Sequence, residues 1–283
     1  MSNIPTKPSF DQLHREWQSL TLADDFIFSR VLRDKEICRE ILELLLKVRI
    51  QRIEFPSVQK VIKTLRESKG VRLDVYVQEA GGQQVFDIEM QTSITKEEAL
   101  RARYYQGIID VDHLLQGADY KQLPKSYIIF LCMEDPFGLG LPVYRERKFI
   151  DPDNRHPHDD RTQKIFYNVS RFQEMEDPAI RSLMEYLNDK KPTDRLTRRL
   201  DEMVEELKMI EMGFTDYMAM RQHDLDCIRR GREQGISIGL ERGAYQNKLE
   251  TARNFLSEGL APQMVTRCTD LPLETVQQLQ QEL

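Results

Sequence analysis

Two short stretches of this chain carry acids at a spacing that suits chemistry. In residues 71–77, VRLDVYV, polar and apolar side chains alternate, and beyond the turn-prone Ala80-Gly81-Gly82 they alternate again in QVFDIEMQ. Successive side chains of a strand point to opposite faces. Arg72, Asp74, Tyr76 and Gln78 therefore share one face of a first strand, and Asp87, Glu89 and Gln91 one face of a second. A hairpin that turns both apolar faces to a core sets Asp74 beside Asp87 and Glu89. Adjacent carboxylates repel unless a cation relieves them, and hard oxygen donors suit Mg²⁺ or Mn²⁺. The spacing thus predicts a divalent metal between Asp74 and Glu89, against the plainer alternative of a solvated polar strand face.

The elements that must position these acids are legible in outline. Apolar residues recur at helical spacing from Leu13 to about Val48, interrupted at Asp24-Asp25, which predicts two helices. After the hairpin, KEEALRARYYQGIIDVDHLLQG reads as an amphipathic helix with an apolar stripe of Leu100, Tyr104, Ile108, Val111 and Leu115 and a glycine cap at Gly117. SYIIFLCM predicts a buried strand, and FGLGLPVYRERKFI and TQKIFYNV two more, separated by a polar loop. The expected class is α/β, with helices against a central mixed sheet and an all-α tail.

Past about Asn188 long helices are expected, and glycines recur every four residues at Gly231, Gly235, Gly239 and Gly243. Each glycine costs a helix roughly 1 kcal/mol against alanine, and a four-residue step drifts by about 40° per repeat. The stripe suits close helix-to-helix contact; the alternative is a frayed linker. Residues 249–283 predict three short helices, with Gly259 as punctuation and Pro262 and Pro272 as first helical residues. The expected organisation is an α/β domain over 1–190, a glycine-repeat helical linker over 191–245 and a small three-helix module over 246–283.

Composition bounds the partners. The 283 residues include 41 basic and 47 acidic ones, a net charge of -6, so a nucleic acid would have to be met by a local patch. At 40% hydrophobic and 31% charged the chain is neither membrane-like nor disordered, and the N-terminal residues lack a signal-peptide layout, so a cytoplasmic location is expected. Cys38, Cys132, Cys227 and Cys268 are scattered, which suggests neither a disulfide framework nor a zinc site.

LDVYV, the turn, DIEMQ, RARYYQGIID, GADYKQLPKSYIIFLC and DPFGLGLPVY together resemble the recombination-promoting nuclease and transposase family of the PD-(D/E)XK superfamily, over roughly residues 15 to 190. The resemblance implies a restriction-endonuclease-like fold, metal-dependent DNA endonuclease activity and a role in recombination. It assigns Asp74 and Glu89 as the motif acids, with Gln91 where the wider superfamily usually has lysine. Asp74, Glu89 and the carbonyl of Met90 would then hold Mg²⁺, and Gln91 would orient by hydrogen bonds while the metal carries more of the charge stabilisation.

Supporting candidates follow. Arg101 and Tyr105 stand at i and i+4, off the expected apolar stripe, where they can face a phosphate, and Arg103 is a third. Asp25 resembles the family's N-terminal motif, though Ser29 stands where lysine is common, and it also suits a helix cap. Glu43 could reach the metal from the preceding helix or lie at the core edge; Asp87 adds acid to the same strand face. The HPHDD stretch from His156 to Asp160 reads as loop.

Two rival readings stand beside this one, the first also a nucleic-acid reading and the second from another class. A C-terminal helix-turn-helix over TRCTDLPLETVQQL would read DNA, but no Lys or Arg follows Arg267, which favours self-association through the C-terminal helices. A catalytically idle nuclease fold would serve as a DNA-binding or oligomerisation scaffold.

Overall fold

The structure, a computed structural model, describes residues 8–55, 61–62, 71–114 and 116–283. Those residues form nine α-helices, α1 Phe10–Ser19, α2 Asp25–Val31, α3 Lys35–Leu46, α4 Glu98–His113, α5 Pro178–Asp189, α6 Arg195–Met209, α7 Glu211–Ser257, α8 Pro262–Thr269 and α9 Leu273–Gln281. Eight strands accompany them: β1 Ile53–Glu54, β2 Val61–Ile62, β3 Val71–Arg72, β4 Val75–Glu79, β5 Gln84–Gln91, β6 Lys125–Cys132, β7 Val143–Arg145 and β8 Thr162–Asn168. The chain divides into two compact units, one of residues 8–215 and one from residue 216 onward.

In the first unit a six-stranded sheet runs in the order β1-β4-β5-β6-β8-β7. The β5–β6 and β6–β8 pairs are parallel and the β1–β4, β4–β5 and β7–β8 pairs antiparallel. This is the mixed α/β sheet that the sequence predicts. β6 reads as an unbroken apolar run because nearly all its residues are buried, as a central strand covered on both faces requires. The turn between β4 and β5 needs left-handed backbone, and Gly81 and Gly82 supply it with φ of 96° and 70°.

The predicted first hairpin strand is broken. Val71 and Arg72 pair with β2 in a separate two-stranded sheet, Leu73 and Asp74 leave the ladder, and pairing with β5 starts only at Val75 opposite Ile88. The long strand expected after Phe137 shrinks to β7, because its first half forms a turn built on Asp135. The N-terminal region holds three helices rather than two. Asp34 caps the third, its carboxylate accepting the Ile37 N–H at 2.9 Å.

The largest correction concerns α4. Its buried face is Ala102, Tyr105, Gln106, Ile108 and Ile109, whereas Leu100, Tyr104 and Val111 are 56%, 39% and 61% exposed. Leu115 lies outside the described residues, and the helix ends at His113, ahead of Gly117. The reason is electrostatic as much as apolar: the sheet face beneath α4 carries two acids, so the helix turns towards it the side that holds Arg101 and Tyr105. Ala102, Tyr105, Ile108 and Ile109 join Tyr76, Ile128, Phe130 and Phe166 in one buried cluster.

The remaining helices of this unit need only brief description. Trp17 of α1 is buried, donates from Nε1 to the Lys208 carbonyl at 3.2 Å and meets Phe26 edge-on at 5.8 Å. Asp177 caps α5, accepting from Ala179 at 2.8 Å, with Pro178 as its first residue.

In the second unit α7 runs through the glycine repeat without interruption, so the stripe is helix, not frayed linker. Ala252, Leu256, Val265, Leu271, Val276 and Leu279 form a small core with α8 and α9. Pro262 opens α8 as predicted, but Pro272 stands at the N-cap of α9. Among the described residues no helix is long and apolar enough to cross a membrane.

The rotation of α4 is open to a direct check. Ile109→Ala should destabilise the fold by about 2–5 kcal/mol through the cavity it leaves. Leu100→Ser and Val111→Ser should stay within about 0.5 kcal/mol of wild type in urea unfolding. The reverse order would restore the stripe read from sequence.

Candidate active site

The site is assembled at the point where β4 stops pairing with β5. Continuing the register past Val75 and Ile88 brings Asp74 opposite Glu89. Because Asp74 has left the ladder, its N–H is free to turn inward, and it donates to Glu89 Oε1 at 3.0 Å. In return the Met90 N–H donates to Asp74 Oδ2 at 3.0 Å. Each acid is thus held by the other strand's backbone. Gln91's carbonyl accepts from the Met133 N–H at 2.9 Å on the β6 side. Alternation along β5 turns the N–H and carbonyl of Met90 the opposite way, towards Asp74.

α4 closes the site from above. Arg101 Nη2 lies 3.6 Å from Glu89 Oε2, Nη1 donates to the Gln91 carboxamide oxygen, and Nη2 donates to the Tyr105 hydroxyl at 2.9 Å. The guanidinium also sits over the Tyr105 and Phe130 rings, 5.5 and 5.6 Å from their centroids. Gln91's amide nitrogen donates to the Ser93 carbonyl at 3.0 Å, which fixes the carboxamide so that its oxygen faces Arg101. The start of α4 is anchored by Glu98, buried, whose Oε1 accepts from the Thr95 N–H at 2.7 Å and from its hydroxyl at 3.0 Å. Sequence reasoning passed over Glu98, although Thr95-x-x-Glu98 is the spacing of a capping box.

The acids are not on a solvated face. Asp87 is 0% and Glu89 2% exposed, and neither oxygen of Asp87 has a hydrogen-bond partner among the described residues. Burial pushes the Glu89 carboxyl well above its ordinary range, with the charges of Asp87 and then Asp74 adding to the effect. Asp87 rises for the same first reason, burial, and next through Asp74. Cys132, which faces Gln91 across the β5–β6 ladder, has its thiol pushed up to about 12 by burial, so it is no nucleophile at neutral pH.

Among the described residues no three of His, Cys, Asp and Glu stand close enough to hold a metal together. The candidate donors for a hard cation would be two carboxylates and a backbone carbonyl, those of Asp74, Glu89 and Met90. This set fits Mg²⁺ or Mn²⁺ in donor chemistry. The surplus of buried negative charge that Asp87 adds favours a cation nearby.

The structure brings Asp74, Glu89, Met90, Gln91, Arg101 and Tyr105 together and sets Arg103 and Glu43 apart from them. Arg103 is exposed on the outer side of α4. Glu43 is engaged at the other end of its helix, where Oε1 accepts the Ile50 N–H at 2.7 Å and shapes the passage into β1. Asp25 is the first residue of α2, whose N-cap is Asp24 rather than Asp25. The His156–Asp160 stretch is loop, with the His156 N–H on Asp151 Oδ1 at 2.7 Å and Asp160 tied to Lys148 at 2.7 Å.

A family model described as PD-(D/E)XK nuclease family transposase matches residues 23–229. Comparison with curated proteins and with solved structures returned no match.

The burial of Asp87 predicts a pH signature. Its folded pKa lies above the unfolded one, so with metal removed the folded state binds the extra proton. The stability this contributes is present below about pH 4 and is lost as pH rises through the raised value. Asp87→Asn should match wild type in acid and become the more stable protein by on the order of 2 kcal/mol at slightly alkaline pH in EDTA. Urea unfolding at a series of pH values reads the difference, and a gap that does not widen with pH would remove the buried charge from the account.

Proposed function

The chain belongs to the PD-(D/E)XK nuclease family transposases, and from that premise we propose that it is a metal-dependent DNA endonuclease that hydrolyses phosphodiester bonds and promotes recombination. The observation that carries this reading is the reciprocal lock of Asp74 and Glu89 under the Arg101 guanidinium. Asp74, Glu89 and the Met90 carbonyl would hold Mg²⁺ or Mn²⁺, which when bound lowers the pKa of a water and polarises a phosphate oxygen. The rest falls to the chain's own side chains. Gln91 cannot donate a positive charge, but its carboxamide oxygen holds Arg101, which supplies one at the same place. Tyr105 accepts from the other side of the guanidinium and fixes its plane. Arg101 is thereby set to stabilise charge that develops on a phosphate as a water oxygen bonds to phosphorus and a P–O ester bond breaks, leaving a phosphate monoester and a hydroxyl. This division of labour argues against the idle-scaffold reading, since the positive charge missing at residue 91 is restored from α4.

The proposed assembly is a homo-oligomer formed through α7. Residues 227–247 of that helix are exposed almost throughout, Ile228, Ile236 and Leu240 included, and a Cβ built at Gly231, Gly235, Gly239 or Gly243 would meet nothing within 4 Å. Among the described residues nothing packs on the stripe to offset the roughly 1 kcal/mol that each glycine costs the helix. A second copy packed on the stripe would, and two sites related by a two-fold axis can cut both strands.

On supercoiled plasmid with Mg²⁺, Asp74→Ala and Glu89→Ala should lose cleavage entirely and Arg101→Gln should lose about 10²-fold or more, each variant still unfolding in one cooperative thermal transition; wild-type nicking by either acid variant, or equal cleavage in EDTA, would sink the assignment. Gly235→Leu with Gly239→Leu has open space among the described residues, so a smaller particle in light scattering would report lost association rather than misfolding, and an unchanged one would remove the stripe from the assembly.

A further inference from the structure

We propose that a pocket beside the acid pair, walled by Phe137, Tyr144 and Phe166, receives an unpaired nucleobase of the DNA strand held at Asp74 and Glu89, an inference that rests on the nuclease reading above. The first observation is the loop that forms one wall. Asp135 accepts three backbone N–H groups, from Phe137 at 3.0 Å, Gly138 at 2.9 Å and Gly140 at 2.7 Å, and the Tyr144 hydroxyl at 2.7 Å. Gly138 and Gly140 take φ of 68° and 72°, which any other residue would strain to adopt. Asn168 pins the far end, its Nδ2 on the Leu141 carbonyl at 3.2 Å and its N–H on that of Pro142 at 2.9 Å. So much hydrogen bonding spent on a loop of this length fixes the residues it displays, and Phe137 stays 39% exposed at its tip.

The second observation is where the pocket lies. The ladder aligns Glu89 with Phe130, Phe130 with Phe166 and Phe166 with Tyr144, so one cross-strand row leads from the acid to the pocket. Two strand spacings, about 10 Å, separate Glu89 from Phe166, a distance neighbouring nucleotides of one strand can bridge. The row is aromatic from the second residue onward. Phe130 and Phe166 stack at 5.2 Å, and Phe137 stands edge-on to Phe166 at 5.0 Å and to Tyr144 at 4.9 Å. Because Asp135 and the Leu141 N–H already occupy the Tyr144 hydroxyl, what Tyr144 offers a ligand is its ring.

The third observation is size and charge. The pocket encloses about 230 Å³. At about 30 Å³ per water-sized group that is room for roughly eight such groups, the scale of one nucleobase and too little for a helix. Lys164 stands at its rim, paired with Glu146 at 2.9 Å. The lining continues into a neighbouring groove of about 420 Å³ where Arg147, Lys148 and Lys164 outnumber Glu146 and Asp159. An aromatic ring face with a cation beside it is what a base and its phosphate require. A base still paired and stacked in a duplex cannot enter, so the pocket selects DNA with an unpaired nucleotide near the cut.

The test uses the full chain carrying Glu89→Gln to prevent cleavage, and fluorescence anisotropy with three labelled DNAs: a perfect duplex, the same duplex with one unpaired nucleotide, and that duplex with the unpaired base removed. The unpaired nucleotide should tighten binding by roughly five-fold to a hundred-fold, the worth of one base stacked on an aromatic ring. Removing the base, or changing Phe137→Ala, should each erase the gain, and the two together should erase no more. Phe137→Trp, which keeps a stacking face, should retain it. A gain that survives removal of the base would come from backbone flexibility and overturn the pocket, as would equal binding of perfect and interrupted duplex. If the chain binds no DNA of any form, the nuclease reading falls with it; if it binds and the wild type cuts plasmid but the unpaired base counts for nothing, only the pocket falls.

Discussion

The structure turns on the burial of two carboxylates that no ordinary core would accept. Taking an ion out of water costs several kcal/mol even after relaxation, and Asp87 and Glu89 sit side by side at almost no exposure. Three arrangements answer that cost. β4 gives up its ladder at Asp74 so that a backbone N–H can reach Glu89. α4 rotates its apolar stripe into solvent so that Arg101 can face the acids. Glu98 spends a buried carboxylate on Thr95 to hold the start of that helix in place. Each would weaken a protein selected for stability alone, and they converge on one spot, which marks the spot as functional.

Strand direction then decides what else can gather there. β5, β6 and β8 run parallel, so the segments that follow β5 and β6 leave the sheet at the same edge. After β5 the chain passes through Ser93 and Thr95 into α4 and delivers Arg101; after β6 it forms the Asp135 loop and delivers Phe137. An antiparallel partner for β5 on that side would have sent the second loop to the far end. Ligand sites in open α/β sheets lie beyond the carboxyl ends of strands for this reason.

Much of this was legible in the sequence and some was not, for physical reasons. The acids, their pairing and the mixed sheet follow from period-two alternation, which is local. Asp34 as a cap and Thr95-x-x-Glu98 as a helix start were also written there, in signals a single residue type and spacing carry. The orientation of α4 was not, because Leu100, Tyr104 and Val111 line up with Ile108 by hydrophobicity as well as Ala102, Tyr105 and Ile109 do, and only the acids on the facing strand decide between the two sides. Nor was the depth of Asp87 and Glu89 legible, since alternation cannot tell a solvated face from one covered by a helix. The strand break at Leu73 and Asp74 escaped too, as nothing in VRLDVYV interrupts the pattern.

The charge inventory closes the account. A chain with net charge -6 must hold a polyanion, if it holds one, against its own average field. Its cations at the sheet are placed accordingly: Arg101 is clamped between Gln91, Tyr105 and Glu89, and Arg145, Arg147, Lys148 and Lys164 cluster at the β7–β8 edge. Most of these are held by neighbours, Lys164 by Glu146 at 2.9 Å and Lys148 by Asp160 at 2.7 Å, so they are fixed in direction before any ligand arrives. Fixed cations in a partly dry site interact more strongly per charge than mobile ones in water. On the reading proposed above, placement rather than number would let an acidic protein carry a phosphodiester site, with Arg101 from the helix above residue 91 supplying the positive charge that a lysine there would bring.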